Sequence, residues 1–119
     1  MAKILVVDDA EFMRMRLSKL LSSNGYDVIE AEHGEAGVEK YTQNKPNLVL
    51  MDITMPILDG IRALQQIMEL DPKANVVMCS ALGQKTMVIE AIKSGAKDFI
   101  VKPYDPEKIL ETVAKYAGA

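Results

Sequence analysis

Five short apolar runs punctuate the chain: KILVV (3–7), YDVIEAE (26–32), NLVLM (47–51), NVVMCS (75–80) and DFIVK (98–102). Four are almost continuous in apolar residues, the pattern of strands covered on both faces of a parallel sheet. Polar residues interrupt YDVIEAE, which is predicted to be an edge strand. Between the runs, apolar residues recur at helical spacing. A helix over 10–24 gathers Met13, Leu17, Leu20 and Leu21 on one face, with Asp9 as its cap and Gly25 as its stop. A second covers 35–43, before Lys45-Pro46. A third, over 60–70, aligns Ile61, Leu64, Ile67 and Met68 and ends at Asp71-Pro72. A fourth, over 84–94, aligns Val88, Ala91 and Ile92 and stops at Gly95. The last, over 106–116, aligns Ile109, Leu110, Val113 and Tyr116. Strand then helix, five times over, demands right-handed crossovers between parallel strands. The predicted architecture is a doubly wound (βα)5 α/β domain in three layers, spanning 1–119.

Composition narrows this reading without changing it. A chain of 119 residues, 49% apolar and 26% charged, suits one soluble domain. No repeat, low-complexity tract or linker divides it. The net charge is −3 and no basic stripe appears, which argues against nucleic acid as a partner. Arg14, Arg16 and Lys19 on the first helix read as a solvated face. The apolar run after Lys3 is too short for a signal peptide, and no run has the length of a membrane span. The single cysteine, Cys79, precludes an internal disulfide and fits a reducing compartment; within NVVMCS it reads as a core side chain. A cytoplasmic monomer is expected.

The candidate chemistry lies where open α/β sheets place their ligands, beyond the carboxyl ends of the strands. Strand 1 delivers Asp8 and Asp9, strand 3 Asp52, strand 4 Ser80 and strand 5 Lys102-Pro103. Strand 2 delivers Glu32 and His33, the latter read as a polar loop residue. Each alone has a plain explanation as a cap, a loop acid or a surface charge. Jointly, three carboxylates, a hydroxyl and an ammonium emerge at one sheet edge. Acids that close repel one another, so without a cation at least one should have a raised pKa. Mg2+ resolves the repulsion, since it binds one or two carboxylates, keeps waters and bridges to phosphate. Asp8 and Asp9 form half of such a site and Asp52 completes it, with the Thr54 backbone carbonyl as a further oxygen. A metal alone needs neither Lys102 nor Ser80, but a phosphoryl group needs both as donors. Asp52 is then a nucleophile that forms an acyl phosphate.

The stretches VVDD, LVLMDITMPILDG, MCSALG and DFIVKPY resemble the receiver domains of two-component response regulators, and the likeness runs from Lys3 to about Ala117. It implies a flavodoxin-like fold with strand order 2-1-3-4-5. It implies Asp52 as phosphoacceptor, with Asp8, Asp9, Asp52 and the Thr54 carbonyl holding Mg2+. Lys102 matches the phosphoryl-binding lysine, Ser80 the hydroxyl that moves on activation and Phe99 the aromatic switch. Pro103 matches a proline usually preceded by a cis peptide. Thr54 and Leu82 would flank the path of the attacking water. AEFMRMRL and ALGQKTMVIEAIKSGAKDFIVKP resemble the free-standing chemotaxis regulators of the family. That implies a histidine kinase as phosphodonor, the flagellar motor switch as target and a dedicated phosphatase as a further partner. The chain would be a phosphoacceptor that slowly dephosphorylates itself, not an enzyme turning over a separate substrate. A phosphorelay intermediate, or a receiver from another two-component pathway, is the alternative. A haloacid dehalogenase-like phosphatase needs a second acid where Thr54 stands. A flavodoxin-like cofactor protein needs a glycine- and hydroxyl-rich phosphate loop where DDAEF stands.

Overall fold

The computed structural model describes residues 2–53, 55, 58–81 and 84–118. The elements alternate as predicted: β1 (Lys3–Val7), α1 (Glu11–Ser23), β2 (Asp27–Ala31), α2 (Gly34–Asn44), β3 (Leu48–Asp52), α3 (Gly60–Leu70), β4 (Val76–Ser80), α4 (Lys85–Lys93), β5 (Asp98–Val101) and α5 (Pro106–Ala117). All four strand pairings are parallel, and the sheet order is β2-β1-β3-β4-β5.

Side chains alternate across a strand, and here the alternation splits the core in two. Ile4 and Val6, Leu48 and Leu50, Val77 and Cys79, and Ile100 pack with Leu17 and Leu21 of α1 and Ile109 and Val113 of α5. Leu5 and Val7, Val49 and Met51, and Val76 and Met78 pack on the other face with Ile61, Leu64 and Ile67 of α3 and Val88 and Ala91 of α4. Cys79 is a sealed core residue, and burial pushes its thiol up to about 12. The same parity positions the chemistry. Asp8 and Lys102 continue the even-numbered rows of β1 and β5, and Asp52 ends that of β3. All three therefore belong to the α1/α5 side of the sheet. Ser80 and Phe99 fall in rows of the opposite face.

Four expectations need correction. Asp9 does not cap α1; the cap position belongs to Ala10, whose N–H donates to Asp8 Oδ1 at 2.9 Å. His33 is not a mere loop residue, because its Nδ1 accepts from Ala36 N at 3.1 Å and caps α2. Ile92 does not share the buried face of Val88 and Ala91, but is 43% exposed beside Ile89. And β5 is not covered on both faces: Phe99 is 42% and Val101 38% exposed, since this strand forms the second edge of the sheet.

α3 starts against the end of β3. Asp59 caps it through Arg62 N, and Gly60 N donates to Ile53 O at 2.7 Å. A Cβ at Gly60 would collide with the Asp52 carbonyl oxygen, which is backbone and cannot swing aside. Gly60→Ala is therefore expected to cost about 3 kcal/mol by overpacking, measured by urea denaturation. Wild-type stability in that variant would show that the β3–α3 approach is looser than described.

Candidate functional site

The ends of β1, β3 and β5 meet in a compact charged cluster. Asp8 is 1% exposed and Asp52 7%, whereas Asp9 stands open to solvent. Carboxylate oxygens of the three acids lie within 4.8 Å of one another. The Lys102 ammonium sits against two of them, with Nζ 3.1 Å from Asp8 Oδ2 and 3.3 Å from Asp52 Oδ1. The same ammonium lies 5.9 Å from the centre of the Tyr104 ring. The Lys102-Pro103 peptide is cis, as the resemblance implied. Lys102 N donates to Ser80 O at 2.7 Å, which ties the turn after β5 to the end of β4.

One acid bears the strain of this crowding. Asp52 is raised from its ordinary 3.8 to about 6, chiefly by burial; Lys102 pulls it down, and Asp8 and Asp9 add to the rise. A raised carboxyl was expected, but from mutual repulsion; loss of hydration is the larger cause. Burial also works against the charge on Lys102, yet Asp52 and Asp8 outweigh it and hold the ammonium above its ordinary value. Near neutrality Asp52 is thus mostly ionised, poorly hydrated and beside a fixed cation.

The donor set suits a hard divalent ion. Three carboxylates carry three negative charges against a single ammonium, and the open side at Asp9 leaves room for retained waters. Thr54, the expected carbonyl ligand, and Leu82 lie outside the described residues.

Ser80 and Phe99 are brought together elsewhere. Ser80 is buried at the end of β4 and takes no part in the ion pairs. With Phe99, Val101, Val88 and Ile89 it lines a groove of about 330 Å3 between α4 and β5. Phe99 lines this groove and stays exposed to solvent.

The sequence reading missed one contributor. Arg14 is not a solvated charge: it bonds the Asp8 carbonyl and pairs with Glu30 of β2. The available signal was its place one turn into the helix that follows the acidic pair.

The sequence profile described as response regulator receiver domain matches residues 4–114. The chain belongs to the response regulator receiver family. It is 54% identical to the chemotaxis protein CheY of Bacillus subtilis over 95% of either chain. It is also 54% identical to CheY of Thermotoga maritima, again over 95% of both. Among solved structures, a CheX-CheY-BeF3-Mg2+ complex from Borrelia burgdorferi contains a chain 42% identical to this one, with a TM-score of 0.90, covering 96% of this chain and 87% of that one. As a receiver the chain is a two-component signalling domain, and its relatives include chemotaxis proteins. Among the described residues no helix is long and apolar enough to cross a membrane.

Proposed function

We propose that this receiver is a phosphorylation-driven chemotaxis switch whose acceptor is Asp52. The observation that carries the proposal is the Asp8–Asp9–Asp52 cluster with Lys102 seated on Asp8 and Asp52. A carboxylate oxygen of Asp52 attacks the phosphorus of a phosphohistidine presented by a partner histidine kinase. The phosphorus–nitrogen bond breaks, and its electron pair leaves with the imidazole. An acyl phosphate results, and Lys102 donates to the transferred phosphoryl oxygens. Asp8, Asp9 and Asp52, with the Thr54 carbonyl, would hold Mg2+, which supplies charge neutralisation for the incoming phosphoryl group when bound.

The response then runs across the sheet. The new dianion draws the Ser80 hydroxyl toward it. The space this vacates admits the Phe99 ring into the groove between α4 and β5, and the surface of α4, β5 and α5 changes shape. A local charge biases a two-state element, and a few kcal/mol of differential binding suffices to shift it. Ile89, Ile92, Phe99 and Val101 give this surface an apolar character that suits a protein partner. The flagellar motor switch is the target that the CheY relatives suggest, and a CheX-type protein is the partner suggested by the Borrelia complex.

Beryllofluoride titration with Mg2+, followed by amide NMR, tests this. Shifts should begin at Asp8, Asp9 and Asp52 and extend to Phe99 and α4. Shifts confined to the acidic cluster would leave a metal site without a switch.

A further inference from the structure

Asp8 and Asp9 are adjacent in sequence, but only one is locked by its own side chain. The Asp8 carboxylate accepts from Ala10 N at 2.9 Å and from Lys102 Nζ at 3.1 Å. Asp9 is exposed, so its direction depends on the backbone that carries it. That backbone is pinned at two successive peptides. Asp8 N donates to Ala31 O at 3.1 Å, which fixes the peptide before Asp8 to β2. Arg14 Nη1 donates to Asp8 O at 2.8 Å, which fixes the peptide between Asp8 and Asp9. Arg14 is itself anchored to β2, because its Nε donates to Glu30 Oε1 at 3.3 Å. The Arg14 side chain is 14% exposed, and its planar fork serves both acceptors at once.

We propose that Arg14 is a positioning residue for the divalent-cation site: by clamping the Asp8–Asp9 peptide to β2, it aims the Asp9 carboxylate at the space shared with Asp8 and Asp52. This rests on reading the three acids as the Mg2+ site. Charge alone predicts the reverse effect. A guanidinium near three carboxylates repels an incoming cation, so a purely electrostatic Arg14 would weaken Mg2+ binding and its removal would tighten it. Clamping predicts looser binding on removal, and the same from lysine, which keeps the charge but lacks the fork. The sign of the change therefore separates the two roles.

The test is calorimetric titration of MgCl2 into the wild-type chain, Arg14→Gln and Arg14→Lys, with thermal melts of each in EDTA. Both variants should bind Mg2+ about tenfold more weakly, the low end for groups that orient metal ligands. Arg14→Lys should melt close to wild type, and saturating Mg2+ should restore its rate of phosphorylation by acetyl phosphate. Tighter or unchanged binding by Arg14→Gln overturns the proposal, as does wild-type affinity in Arg14→Lys. A wild-type chain that binds no Mg2+ sinks the underlying site reading, and this inference with it.

Discussion

Asp52→Asn is expected to abolish capture of phosphate from acetyl phosphate and, with EDTA present, to raise the melting temperature at neutral pH. The first effect is chemical, since an amide oxygen does not form the acyl phosphate; intact-protein mass reads it directly. The second is electrostatic. The folded-state pKa of Asp52 is raised from 3.8 to about 6, so the folded protein binds this proton more tightly than the unfolded chain does. Wild type therefore loses stability as pH rises from about 4 to about 6, and the full penalty persists above that range. Asparagine carries no such penalty. Its advantage should vanish below about pH 4, grow through the window and level off above pH 6. Allowing for screening at the open sheet edge, the plateau is about 1–2 kcal/mol, or roughly 4–8 °C. Equal melting temperatures across that whole range would show that Asp52 is far better hydrated than its burial implies.

Lys102→Met should act in the opposite direction. It leaves Asp8 and Asp52, both buried, without the ammonium that now lies 3.1 and 3.3 Å from them. Removing one partner of a buried ion pair costs several kcal/mol. Lys102 is partly open to solvent, so about 2 kcal/mol is the expected loss in EDTA at neutral pH, close to 8 °C. Acidification should shrink the deficit, because protonating Asp52 relieves the unpaired charge. Mg2+ should recover most of it, since the ion opposes the same carboxylates. Melts at graded Mg2+ and pH check both statements. A deficit that ignores Mg2+ would mean that Lys102 stabilises through packing against Tyr104, not through charge.

The parts of the fold that were legible in the residues are those set by local pattern. The unbroken apolar runs of β1, β3 and β4 announced strands covered on both sides, and α3 matched its predicted bounds to the residue. Asp52 and Lys102 were legible because the strand ends that carry them converge in any parallel sheet. What pattern could not convey was which neighbour covers which face. DFIVK carries an unbroken apolar run as the interior strands do, yet β5 is an edge, and α4 leaves Phe99 and Val101 uncovered. Ile92 misled for the same reason: its spacing fits the buried face, but the helix turns it outward. Arg14 and His33 were misjudged because their partners are a backbone carbonyl and a backbone N–H, which composition does not display. The roles expected of Thr54 and Leu82 fall outside the described residues.

Cys79 has a practical consequence. It stands opposite Asp52 in the β3–β4 register, is the only cysteine in the chain and is sealed from solvent. A thiol reagent must wait for that seam to part before it can react. Its capture rate thus times the breathing of the protein directly beside Asp52, with no introduced label. Slower capture on loading the rim with ion and beryllofluoride would register tightening beneath the proposed acceptor.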